Sequence, residues 1–168
     1  MIRNAQIEDS RAIAEAHVAS WKHTYIGQVP DEYLAGLSVP AREAAWRESF
    51  AKEEHRILLA EDGDLAAGFV SLGPSRDEDA DPKTTGEVYA IYLRPEYQGR
   101  GLGTELWRRA VDSLRASGCA ELTVWVLDTN SSARRFYEGR ACFLDGESKE
   151  VSIGGKDVVE LRYRYKLK

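Results

Sequence analysis

Only two cysteines, Cys119 and Cys142, occur among the 168 residues, and no Cys/His group has metal-ligand spacing. Neither a disulfide framework nor a metal site is therefore expected. No stretch approaches the roughly 20 apolar residues needed to cross a membrane. The opening residues Met1-Ile2-Arg3-Asn4-Ala5 lack the apolar run and small-residue cleavage site of a secretory signal. A reduced, cytoplasmic protein is the expectation. Basic charge is not in excess either: 23 Lys and Arg against 28 Asp and Glu leave a net charge of −5. Nucleic-acid binders usually show a basic face, so no nucleic acid and no membrane is expected as partner. Arg108 and Arg109, with Arg134, Arg135 and Arg140, could still serve one small polyanion.

What is present is a globular composition, 43% apolar and 30% charged. A chain of this length can bury roughly 70% of its extended surface, and a single domain over 1–168 is expected. A short strand near Ile2 precedes a helix that Asp9 or Ser10 can cap, carrying Ile13, Ala16, His17, Ser20, Trp21 and Thr24 on one face. Gly27 and Pro30 break it, and Pro40 can open a second helix with Ala44, Ala45 and Trp46 inward. Strands follow at 57–60 and 66–70, turning at Asp62-Gly63-Asp64. The polar segment 74–86 reads as a surface loop. Further strands lie at 88–93 and 122–127, and helices run from Leu102 to Gly118 and from Ser131 to about Glu138. The tail alternates Val159, Leu161, Tyr163, Tyr165 and Leu167 against Glu160, Arg162, Arg164 and Lys166, which predicts a half-exposed strand. Residues 147–153 would be its hairpin partner across Gly154-Gly155. The order is that of a mixed α/β fold.

The most informative turn is Gln98-Gly99-Arg100-Gly101-Leu102-Gly103-Thr104, between a strand and a helix. Glycines there let the backbone approach a ligand, and the first helical turn adds unpaired N–H donors and the positive end of its dipole. Such a turn can hold a diphosphate, or it can simply be tight. The Walker pattern fails, because no Gly-Lys-Ser/Thr follows; the dinucleotide pattern fails because its third glycine would fall at Thr104.

With its surroundings this turn resembles the GNAT superfamily of N-acetyltransferases. The acyl-CoA signature Gln/Arg-x-x-Gly-x-Gly/Ala is met at Gln98, Gly101 and Gly103, and Tyr92-Leu93-Arg94-Pro95-Glu96-Tyr97 leads into it. Downstream, Asn130-Ser131-Ser132-Ala133-Arg134-Arg135-Phe136-Tyr137 matches the family's Asn-x-x-Ala-x-x-Phe-Tyr segment. The family pattern Phe-Tyr-Glu-x-x-Gly-Phe is departed from: with Phe143 taken as its last residue, one residue is extra and no glycine precedes it.

The resemblance implies a mostly antiparallel, seven-stranded sheet flanked by helices, with acetyl-CoA as cosubstrate and no metal. It implies that the backbone of Ile91, Tyr92 and Leu93 holds the pantetheine arm, and that Gln98, Gly99, Arg100, Gly101, Leu102, Gly103 and Thr104 hold the diphosphate. Asn130 and Ala133 line the arm opposite. Tyr137 would protonate the departing thiolate, a backbone N–H near Tyr92 would hold the oxyanion, and Glu87 would take the amine proton directly or through water. The acceptor would be a primary amine: a small molecule, polyamine, amino acid or peptide. Trp21 and Tyr25, at helical spacing, could form an aromatic wall for it, or equally a core stripe. His17 reads as a core histidine. The acidic run 77–81 could steer a cation or merely be solvated. Exposed tail strands in this family pair between subunits, which makes a homodimer a possible partner state. The alternative is a non-catalytic acyl-CoA-binding or regulatory module of the same fold.

Overall fold

The structure is a computed structural model that describes residues 1–52 and 54–167. Its elements are β1 (Ile2–Asn4), α1 (Ser10–Thr24), α2 (Asp31–Ala35), α3 (Val39–Phe50), β2 (Arg56–Asp62), β3 (Leu65–Pro74), β4 (Thr85–Leu93), α4 (Leu102–Ala116), β5 (Glu121–Leu127), α5 (Ser131–Glu138), β6 (Phe143–Ile153) and β7 (Lys156–Lys166). The seven strands form one sheet in the order β1-β2-β3-β4-β5-β7-β6. Only the β4–β5 pair is parallel among the neighbouring strands. None of the described helices is long and apolar enough to cross a membrane.

Two apolar layers sandwich the sheet. On one face α4 inserts Leu106, Trp107, Ala110, Val111 and Leu114 against Val70, Leu72, Val88, Leu122 and Val124. On the other, Ile13 and Ala16 of α1 meet Ile57, Leu59 and Phe69. Apolar spacing of three and four residues turns one stripe of each helix inward, which is why the periodicity was readable. Asp9 sits at the N-cap of α1, but its carboxylate accepts from Arg3 and from the Gln6 N–H instead of capping. Ala44 and Ala45 are exposed, contrary to the expected inward face of α3; Trp46 and Phe50, one turn apart, pack on the core in their place.

Two features of the sheet create the site. A register shift opposite Ser71 and Leu72 leaves Tyr89 as an extra residue in β4. Val88 therefore packs with α4, whereas Ala90 and Tyr92 pack on the α1 side. Such a bulge bends the strand. Beyond it the ladder to β5 ends: only Thr85, Gly86 and Glu87 pair with Glu121, Leu122 and Thr123. The backbone edge of 88–93 that would meet β5 is left open.

The tail differs from its expected solvated face. β7 lies between β5 and β6, so the edge strand is β6, and it begins at Phe143, not at 147. Arg162 is only 3% exposed, because Asp77 and Asp79 of loop 75–84 and Asp145 of β6 all pair with it. Burial of a guanidinium requires such partners.

Candidate active site

Where β4 and β5 part, a cleft of about 420 Å³ opens. Its floor and one wall come from contiguous segments. Gly101 caps the start of α4 in the left-handed conformation, with φ of 83°, which only glycine adopts without cost. No side chain caps this helix, so the N–H groups of its first turn are available to a ligand. A Cβ on Gly103 would come within 3.2 Å of Phe136 and 3.4 Å of Leu93, so its smallness lets α4, α5 and β4 converge here. Across the cleft Asn130 caps α5 by accepting from the Ala133 N–H at 3.1 Å.

Tyr137 is 6% exposed and packs its ring edge-on against Trp107 and Phe136, at 5.5 and 5.1 Å. Its hydroxyl has no hydrogen-bond partner among the described residues, and burial pushes the phenol pKa well up, so it keeps its proton. The end of α5 explains the unusual sequence after it. Cys142 N–H donates to the Tyr137 carbonyl and Ala141 N–H to that of Glu138, the two bonds of a Schellman cap. Ala141 holds the left-handed position, φ 60°. The expected extra residue is thus not there: Ala141 stands in the place of the pattern's glycine and buried Cys142 in that of its phenylalanine.

Among the described residues, Arg140 is the one charged side chain lining the cleft. Its guanidinium stacks 3.5 Å over Phe136, donates to the Phe136 carbonyl and reaches the Thr104 hydroxyl. Its Nε is buried without a partner, and burial lowers its pKa. No carboxylate among the described residues pairs with it. The other arginines of the basic group that were open to a polyanion are largely engaged: Arg108 and Arg109 with Glu105, Arg134 with the Tyr163 hydroxyl.

The opposite wall is aromatic. Tyr25 and Tyr92 line it, with Ser20, Thr24, Tyr89 and Trp125. Burial raises the pKa of both Tyr25 and Tyr92. Trp21, expected to share this wall, stands behind it, 4.5 Å from Tyr25 and 6.2 Å from Tyr92 ring to ring. His17 is buried and neutral, burial lowering its pKa to about 3, and its Nδ1 accepts from Trp46 Nε1 at 3.2 Å.

The structure therefore brings together Tyr25, Ile91, Tyr92, Leu93, Gln98, Gly99, Gly101, Gly103, Thr104, Asn130, Ala133 and Tyr137 around one cleft. Leu102 instead packs on the core, and Arg100 leans toward Tyr97. Glu87 lies outside the lining. It is 1% exposed, and its two carboxylate oxygens accept from the Arg76 backbone N–H, Nε and Nη2 at 2.9, 3.2 and 2.6 Å. Both carboxylate oxygens are thus engaged by Arg76 of loop 75–84. Two members of the acidic run are likewise engaged: Asp77 accepts from Trp125 Nε1 at 2.9 Å, and Asp79 accepts from Arg162. Sequence reasoning missed Tyr89, Trp125 and Phe136 as lining residues, with only the position of Phe136 in the Asn-x-x-Ala-x-x-Phe-Tyr segment as a signal; Arg140 it held only as one of five arginines open to a polyanion.

The sequence profile of the acetyltransferase (GNAT) family matches residues 18–142. The chain is 32% identical over 170 residues to the uncharacterized N-acetyltransferase YuaI of Bacillus subtilis, covering 96% of this chain and 95% of that one. It is 25% identical to a spermidine N(1)-acetyltransferase of Thermoplasma acidophilum, covering 96% of each. Among solved structures, the PaiA N-acetyltransferase from Thermoplasma acidophilum in complex with coenzyme A superposes with a TM-score of 0.78 at 22% identity, over 99% of this chain and 98% of that one.

Proposed function

This chain belongs to the acetyltransferase (GNAT) family, and from that premise we propose that residues 1–168 form one N-acetyltransferase domain in which acetyl-CoA fills the cleft and a primary amine attacks its thioester directly. The observation that carries the reading is the parting of β4 from β5 beside an uncapped helix N-terminus. A slot and an anion site, side by side, suit a ligand that is a thin amide arm at one end and a diphosphate at the other.

The diphosphate takes the N–H groups of 98–104, and Arg140, a cation without a carboxylate partner, supplies charge beside Thr104. The arm runs along the open edge of β4 as an added strand would. As the amine nitrogen bonds to the thioester carbon, the carbonyl oxygen gains charge, and a backbone N–H of that edge near Tyr92 holds it. The C–S bond then breaks. Tyr137, protonated and unpartnered among the described residues, donates its hydroxyl proton to the sulfur, and the proton that the attacking nitrogen sheds on becoming an amide restores the phenol. No carboxylate among the described residues lines the cleft, so the ammonium form of the acceptor gives up its proton to solvent at the open mouth.

A thermal-shift titration with acetyl-CoA, CoA, NAD and ATP tests this first. A ligand at 100 times its dissociation constant stabilises the fold by about 2.7 kcal/mol. Stabilisation by acetyl-CoA and CoA alone, followed by thiol release with an amine, is the expected result; indifference to both coenzymes overturns the reading.

A further inference from the structure

The face of the sheet that carries Trp125 continues onto β7, where Glu160 keeps 24% of its side chain exposed. On that face Val158 is roofed by Val29 and Leu34, and Arg162 by Asp79. Glu160, between them, has neither cover. Opposite it in register stands Lys149 of β6, whose Nζ lies 3.4 Å from a Glu160 oxygen. A cross-strand ion pair of this kind is ordinary. What is added here is Trp125: the same Nζ sits 4.1 Å from the centroid of its ring, and Trp125 lines the cleft. An ammonium over an indole face and beside a carboxylate is the arrangement that recognises an organic cation. The chain's own lysine fills it.

We propose that Trp125 and Glu160 form a second-cation subsite for the acceptor, occupied at rest by Lys149, so that the cleft selects acceptors carrying two amines. This deepens the acetyl-transfer reading and rests on it. One amine stands at the parting of β4 and β5, and the other replaces the Lys149 ammonium over Trp125. Trp125 belongs to the strand that borders the slot and Glu160 to the next, so the two nitrogens lie roughly 5–10 Å apart, the span of a short aliphatic diamine. Lys149, already 43% exposed at its side chain, moves into solvent, and the exchange leaves the local charge unchanged. Glu160 also lies near enough to the cleft for its charge to act on the phenols of Tyr25 and Tyr92.

Calorimetric titration of 1,4-diaminobutane and butylamine into the CoA-loaded protein tests the subsite. The diamine should bind more tightly than the monoamine. Lys149→Met should tighten the diamine by roughly tenfold and leave butylamine unchanged, whereas Glu160→Gln should erase the diamine's advantage. Equal affinity for both amines in all three proteins, or no measurable diamine binding even in Lys149→Met, overturns the subsite. Thiol release is read separately. The binding pattern without thiol release upholds the subsite and overturns acetyl transfer; thiol release without the pattern does the reverse.

Discussion

The two walls of the cleft are built on different principles. The wall toward α4 and α5 is made of backbone groups and short contiguous segments, 98–104 and 130–137, and its one charge, Arg140, has no carboxylate partner. The wall toward α1 is made of side chains drawn from α1, β4 and β5, and the charged loop beside it is tied to the sheet at several points. Glu87 holds Arg76, while Asp77 and Asp79 hold Arg162. The first wall presents the start of a helix that no side chain caps, and the second uses its charges to stand up. A charged residue near a cleft is thus a candidate only after its protein partners have been counted.

The sharpest test of that contrast removes the keystone of the engaged wall. Arg162→Met leaves Asp77, Asp79 and Asp145 facing one another and should cost about 3 kcal/mol in urea unfolding, as expected for a broken buried ion pair. A loss below about 0.5 kcal/mol, the size of an ordinary surface change, would mean the network is ornamental. The same variant carries a pH signature. Arg162 holds Asp79 below the ordinary carboxylate range; Asp145 is also lowered, its burial outweighed by the Glu147 N–H and the two arginines. Depressed carboxylates contribute stability that is complete above the unfolded value, near 3.9, and lost as pH falls through their lower folded values. Wild type should therefore lose stability below about pH 4, and the variant should show a flatter slope there.

On the open wall, Tyr137→Phe should lower kcat by roughly 100-fold while leaving acetyl-CoA affinity and Tm nearly unchanged, because the hydroxyl has no protein partner to lose. Full turnover in that variant would take Tyr137 out of the reaction. Glu87→Gln is the intermediate case. As an anchor it should cost about 1–2 kcal/mol and keep the acidic limb of the kcat/KM profile in place. Disappearance of that limb would return Glu87 to the role of base. The smallest effect is a gain: Ala141→Gly relieves a left-handed alanine and should add about 1 kcal/mol by thermal unfolding, with activity unaltered.

Legibility followed the same division. Gln98, Gly101, Gly103, Asn130, Ala133 and Tyr137 were named through two short contiguous motifs of the resemblance, and the structure brings all six around the cleft. Helix α2 was not anticipated: it is five residues long, too short for a period to show. The apparent extra residue before Phe143 came from requiring a phenylalanine where the chain places Cys142, after an alanine in the left-handed position of the pattern's glycine. The alternation in the tail was real, yet its polar side is not solvated at Arg162, because loop 75–84 folds over it from about eighty positions away.

By itself, then, the sequence determined most of the elements, the glycine-rich turn before α4, the α5 motif and membership of a fold, since periodicity, capping and backbone conformation are local properties. Tertiary structure decided the rest. The bulge at Tyr89 exchanged the faces of β4, β7 slipped between β5 and β6, and Glu87 and the acidic loop were drawn into ion pairs. A charge has no role until its nearest opposite charge is known, and that neighbour is chosen by the fold.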